Sequence, residues 1–158
     1  MLKKSLAATA LLAIGMSALT ACLDDATGVD CQPFSNQVTG TSGDTVETQI
    51  GLRYLQLAQG ASQQESRWCS TLQVEYTGML EDETEFDSGT LTFTPGVENL
   101  IPGFVFGVVG MRVGEQRRLF IPPNLAYGNQ DVRDPQTGDV VIPANSDLIF
   151  DVELIATQ

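Results

Sequence analysis

Across residues 100–128, LIPGFVFGVVGMRVGEQRRLFIPPNLAYG, the spacing of hydrophobic positions changes once, from helical to alternating. Phe104, Val105, Val108 and Val109 recur at i, i+1, i+4 and i+5, which makes one apolar face of a helix. Pro102 suits the first turn, where its missing N–H costs nothing. Gly107 and Gly110 limit the helix to about two turns. A helix that short does not stand alone in water, so its apolar face must pack into something larger. After Gly114 the period becomes two. Arg117, Leu119 and Ile121 fall on one face, and Gln116, Arg118 and Phe120 on the other, which predicts a strand. Pro122 and Pro123 end it. Residues 124–128 read as a tight turn presenting Tyr127.

The rest of the chain supplies strands for that helix to pack on. Ile50, Leu52 and Tyr54 alternate and are followed by Leu55 and Leu57, a first strand in a folded part starting near Thr48. Leu72, Val74 and Tyr76 alternate with Gln73, Glu75 and Thr77, a half-buried strand running to Leu80. Residues 81–83 form an acidic turn. Phe86-Asp87-Ser88-Gly89 follows, then a short strand over 91–94 that Pro95-Gly96 breaks. Residues 129–141 read as a long polar loop. Leu148, Phe150, Val152 and Leu154 alternate with polar residues in a closing strand. Five or six short strands and one short helix predict an α+β fold, an antiparallel sheet wrapped on the helix.

Composition narrows the chemistry. The chain has 20 acidic and 8 basic residues and no His. Lys3 and Lys4 are its only lysines, so without the first 21 residues the net charge is near −14. Nucleic acid and anionic lipid are poor partners for such a chain. The lack of His removes Ser-His-Asp and Cys-His catalysis and most zinc sites. No phosphate-binding glycine motif is present. Asp131, Asp134 and Asp139 share the long loop, but their spacing fits no EF-hand, and a solvated loop is the expectation. No metal or cofactor is expected. Chemistry must run on carboxylates, phenols, backbone amides and apolar surface.

Residues 1–21 carry a positive start and an apolar run over 6–19, too short to span a bilayer comfortably. The run ends in Leu19-Thr20-Ala21-Cys22, which resembles the lipobox of bacterial lipoproteins. That resemblance implies cleavage before Cys22 and its acylation, with Leu23 in the next position pointing to the outer membrane. Residues 22–47, rich in Asp, Thr, Gly and Ser, read as a tether. With Cys22 acylated as the resemblance implies, a disulfide between Cys31 and Cys69 is expected in an oxidising compartment. Its loop would contribute about 4 kcal/mol on the chain-entropy model.

VEYTGML (74–80), FDSG (86–89), the 100–128 stretch and IPANSDLIFDVEL (142–154) together resemble FKBP-type peptidyl-prolyl cis-trans isomerases. The likeness covers about residues 50–155, and four blocks in order are far more specific than any one. It implies a curved antiparallel sheet cupped around a short helix, with a shallow apolar pocket for a prolyl ring. Tyr76, Phe86, Phe104 and Phe150 would form its walls and floor, and Leu100, Ile101 and Ile142 would add aliphatic surface. The Ile101 N–H would bind a substrate carbonyl, the Tyr127 hydroxyl would donate to the ligand, and Asp87 would sit beside Tyr76. Tyr76, Asp87, Tyr127 and Phe150 are the implied catalytic set. Proline-containing polypeptides are the implied substrates and macrolides the implied inhibitors.

The chain departs from the family pattern in three places. Phe104 replaces the usual floor Trp, and Trp68 lies outside the matched blocks. The segment between Asp87 and Leu91 is shorter than in the simplest members and lacks the Arg that often neighbours the Asp. The loop after Gly128 is longer. No long N-terminal dimerisation helix is present, so a monomer is expected. The alternative to an isomerase is a chaperone or binding module that holds proline-containing segments with little turnover.

Overall fold

The structure, a computed structural model, describes residues 45–158. Cys22 and Cys31, the expected leader and nearly all of the expected tether lie outside the described residues. The first element, β1 (Thr45–Glu47), already falls within the segment read as tether. It pairs antiparallel with β2 (Arg53–Ala58). Gly51, at φ +87°, makes the turn between them, so Ile50 is exposed in a turn and not part of a strand.

Next come β3 (Leu72–Leu80) and β4 (Glu85–Phe93). The sequence suggested a turn at 81–83 and a strand only over 91–94, with 86–89 between them unassigned. The structure instead makes one strand of nine residues. Asp, Ser and Gly are tolerated there because β4 lies at the edge of the sheet, exposed along most of its length. Helix α1 (Pro102–Val108) and β5 (Gln116–Ile121) follow as read, then a single 3-10 turn at Pro123–Leu125. The expected long loop contains a small hairpin, β6 (Val132–Arg133) against β7 (Val140–Ile142). β8 (Leu148–Thr157) closes the sheet.

The six-stranded antiparallel sheet has the order β1-β2-β5-β8-β3-β4, with irregular register in three of its strand pairs. Alternation decides which side faces the helix. Arg117, Leu119 and Ile121 of β5 are buried, as are Leu148, Phe150, Val152 and Leu154 of β8 and Leu72 and Val74 of β3. Phe104, Val105 and Val108 come down onto them from α1.

Gly107 does not end the helix. It lets the helix approach β5, since a Cβ there would stand 2.5 Å from Leu119 Cδ1. Gly110, at φ +84°, turns the chain out after the last helical residue.

Seven residues make too few internal hydrogen bonds to hold a helix, so the remainder come from outside. The buried Ser66 hydroxyl donates to the Val108 carbonyl (2.7 Å) and accepts from the Met111 N–H (2.9 Å). The Gly110 N–H donates to the Ser66 carbonyl at 3.0 Å. Arg117 reaches up from β5 and donates to the carbonyls of Gly107 (3.0 Å) and Gly110 (3.1 Å). Its Nε–H bonds Glu115 at 2.6 Å, and its guanidinium lies 4.6 Å above the centre of the Tyr54 ring. Glu115 and Arg117 are 3% and 8% exposed, so this is a buried pair with its donors and acceptors engaged. Just upstream, Trp68 packs edge-on against Phe106 of α1. Cys69 is disulfide-bonded, and its partner lies outside the described residues.

Candidate active site

At the opposite end of α1 the helix starts without a side-chain cap. Pro102 occupies the first helical position, and Ile101, in extended conformation (φ −60°, ψ 133°), precedes it. No backbone acceptor among the described residues takes the Ile101 N–H. Leu100 and Ile101 are half-buried against the core. The amide expected to meet a substrate carbonyl is therefore free to do so.

Around this helix end the four predicted aromatic side chains meet. Phe104 and Phe150 stand edge-to-face with centroids 5.3 Å apart. Tyr76 packs on both, at 5.9 Å from Phe104 and 6.3 Å from Phe150. Phe86 meets Phe150 at 5.6 Å with the rings nearly perpendicular. Phe93, which sequence reasoning did not single out, packs behind Phe104 at 5.9 Å. Phe104 and Phe150 are 4% and 5% exposed and make a floor, while Tyr76 and Phe86 are half-buried and make walls. Ile142 is 3% exposed and sits in the core, so it backs the site more than it lines it.

Gly78 makes this packing possible. It lies in β3 opposite Asp87 of β4 and Phe150 of β8. A Cβ there would come within 2.8 Å of both the Phe86 and the Phe150 ring. Sequence reasoning passed over it, although a glycine inside an alternating strand signals a close approach.

The polar members gather at one edge of the rings. The Tyr76 hydroxyl donates to Asp87 Oδ2 at 2.8 Å. Burial, then that hydrogen bond and the carboxylate's charge, push the Tyr76 phenol up to about 12, so it stays a donor across physiological pH. Tyr127 is raised as well, by burial first and then by the negative charge of Asp87. The two phenols and the carboxylate thus form one electrostatic group, with Asp87 exposed and Tyr127 42% exposed.

Tyr127 sits in the turn after the 3-10 segment, where the Gly128 N–H donates to Pro123 O at 2.8 Å. The Asn145 N–H donates to Gly128 O at 2.7 Å and closes the loop that carries the β6–β7 hairpin. Asp131 accepts from the Ala144 N–H and from Arg133, and Asp134 from the N–H groups of Gln136 and Thr137. The Asp131 and Asp134 carboxylates are thus engaged in holding the loop, and among the described residues no group of three His, Cys, Asp or Glu is placed for a metal.

A separate concavity of about 500 Å³ lies on the outer face of the sheet, between Leu57, Glu75, Thr77, Ser88 and Glu153. Its acids are partly paired already, Asp151 with Arg118 and Glu153 with Gln116. Tyr76 borders it too, but Phe86, Phe104, Phe150 and the Ile101 amide do not line it.

The site is thus a cluster of aromatic rings on an antiparallel sheet, beside the start of one short helix and edged by two phenols and a carboxylate. Residues 62–155 match the family model described as FKBP-type peptidyl-prolyl cis-trans isomerase. The chain belongs to that family. FK506-binding protein 2 of Yarrowia lipolytica is 45% identical over 98 residues, covering 59% of this chain and 64% of that protein. FK506-binding protein 1A of Neurospora crassa is 37% identical over 119 residues, covering 72% of this chain and 94% of that protein. The crystal structure of FkpA from Escherichia coli superposes with a TM-score of 0.61 at 32% identity, over 75% of this chain and 53% of that one. The chain therefore spans just under two thirds of the Yarrowia relative's length.

Proposed function

We propose that this chain is a peptidyl-prolyl cis-trans isomerase that accelerates X-Pro isomerisation in exported proteins. The observation carrying this reading is the set of four rings around a free helix-start amide, with the Tyr76–Asp87 bond of 2.8 Å at the open edge. The prolyl amide rotates over a barrier of ~18–20 kcal/mol because resonance gives its C–N bond double-bond character. Resonance also places charge on oxygen and nitrogen, which water stabilises and aromatic walls do not. Seating the proline on Phe104 and Phe150 removes that water and favours the twisted, less polar state. Each tenfold gain in rate needs only ~1.4 kcal/mol of such preference.

The chain's polar groups then orient the peptide. The Ile101 N–H takes the carbonyl beyond the proline, and the Tyr127 hydroxyl takes a second acceptor. Asp87, held by Tyr76, stands beside the rotating amide. The same surface would take a macrolide, in keeping with relatives named for FK506 binding.

Location completes the proposal. Acylated at Cys22, the domain hangs from the outer membrane into the periplasm as a monomer, with Cys31 as the partner of Cys69. A protease-coupled assay on a Leu-Pro tetrapeptide tests the activity. We expect a rate well above the uncatalysed tens of seconds. No rate on any X-Pro peptide, with suppression of client aggregation, would replace the isomerase by a holding module. Fatty-acid labelling lost in Cys22→Ser tests the anchor, and non-reducing peptide mapping tests the Cys31 pairing.

A further inference from the structure

We propose that the free edge of β4 is a docking track on which polypeptide flanking the proline adds as a seventh strand. This rests on the prolyl-site reading and names how the rest of the substrate is held. Among the described residues β4 is paired on one side only, with β3. In an antiparallel ladder alternate residues turn their N–H and C=O groups away from the partner strand, so β4 presents a row of unused donors and acceptors.

Three features separate this edge from an ordinary one. First, from Asp87 to Phe93 β4 carries little of the usual protection. That stretch holds no Pro, Lys or Arg and pairs with β3 in unbroken register, the one irregularity, an extra residue at Phe86, lying at the site end of the strand. The opposite edge, β1, is only three residues long and limits itself. Second, approach is open. Asp87, Ser88, Gly89 and Thr90 are all exposed, and a Cβ built on Gly89 would meet nothing within 4 Å. Third, the track begins in the site. Phe86 and Asp87 belong both to the ring cluster and to β4. From Asp87 to Thr92 the strand offers about 17 Å, room for a flanking segment of five or six residues.

Continuity with the ring site selects the occupant. A proline seated on Phe104 and Phe150 leaves its chain at the rim where β4 starts, already extended. Main-chain pairing gives affinity without demanding a sequence, which suits an enzyme with many clients. Asp82, Glu83, Glu85 and Asp87 make the site end of the track acidic, so substrates basic beside the proline gain further.

The test is residue-resolved amide hydrogen exchange on the full chain with three synthetic probes: a Leu-Pro tetrapeptide, a decapeptide with central Leu-Pro, and that decapeptide N-methylated at alternate flanking residues. The decapeptide should slow the outward amides of residues 87–92 about tenfold at saturation, the equivalent of ~1.4 kcal/mol. The tetrapeptide should leave them unchanged, and N-methylation should abolish the effect. Unchanged β4 exchange with the decapeptide overturns the track, whatever the isomerase rate. So does protection already present in the free protein, which would place residues 1–44 or a second copy on the edge. The tetrapeptide rate reports separately on the prolyl site: if it is absent while the decapeptide protects β4, the isomerase reading falls and strand docking stands.

Discussion

Replacing Gly78 by Ala would place one methyl group where two aromatic walls meet. Gly78 is not among the residues at positive φ, so Ala adopts its backbone without strain. Ala also restricts the unfolded chain, which alone would stabilise by ~0.4–1 kcal/mol. Against this, the new Cβ would stand 2.8 Å from Phe150 Cε1 and from Phe86 Cε2 and Cζ. Carbon atoms prefer roughly 3.5–4.0 Å, so both rings must retreat by about 1 Å. Overpacking of this kind costs ~1–3 kcal/mol, which leaves a net loss of about 1–2 kcal/mol. For a domain of this size that lowers the Tm by several degrees, at roughly 4–8 °C per kcal/mol.

The activity should fall further than stability requires, because the displaced rings are the wall and floor of the site. We expect kcat/KM on a Leu-Pro peptide to drop about tenfold under conditions where the variant is fully folded. Phe86→Leu removes one of the two obstacles. Denaturant melts of both single variants and the double should therefore show favourable coupling of about 1 kcal/mol. A Gly78→Ala protein with unchanged Tm and unchanged kcat/KM would refute the ring packing on which the site is built.

Tyr127→Phe deletes one hydroxyl at the rim, so peptide or macrolide affinity should fall by roughly 1 kcal/mol while the Tm stays within a degree or so. The phenols Tyr54, Tyr76 and Tyr127 all lose their protons less readily in the folded state, Tyr76 only at about 12. Their contribution is therefore complete below the ordinary phenol value near 10 and is lost as pH rises from ~10 towards ~12. Denaturant midpoints should be flat in that respect at neutral pH and fall over the alkaline window, less steeply in Tyr76→Phe. Glu115→Ala leaves Arg117 buried without its acid and should cost about 3–5 kcal/mol, whereas Glu115→Gln with Arg117→Met should cost clearly less, as urea melts would show.

How far the chain could be read without its structure differed from element to element. Helix α1 and strand β5 were legible because their apolar periods change cleanly between Gly107 and Gly114 and because Pro102 and Pro122 mark their limits. The same alternation put Arg117 on the inner face but gave no reason for it. The reason is three-dimensional: two helix-end carbonyls, a carboxylate and a ring converge there from other segments. Strand β4 was hidden by Asp-Ser-Gly, which punctuates turns in most settings and is tolerated here by an edge position. The β6–β7 hairpin has strands of two and three residues, too short for any period to show. The ring cluster was foreseen through the order of four matching blocks. Gly78 and Phe93, which let the rings sit as they do, carry no chemistry of their own and drew no notice.

The strand order also governs when the domain comes into existence. β8 lies between β5 and β3, so among the described residues the two halves of the sheet are joined by strand pairing only through it. Leu72 of β3 pairs with Thr157, and Arg118 of β5 with Asp151. No portion of the chain that stops short of Leu148 closes the sheet or supplies Phe150 to the floor. Contacts across such sequence distances make folding slow and all-or-none. A chain emerging in order from its N-terminus therefore leaves the sheet open until its final strand is released. The complete ring cluster would appear in one step at that moment and would never accompany a partly made chain.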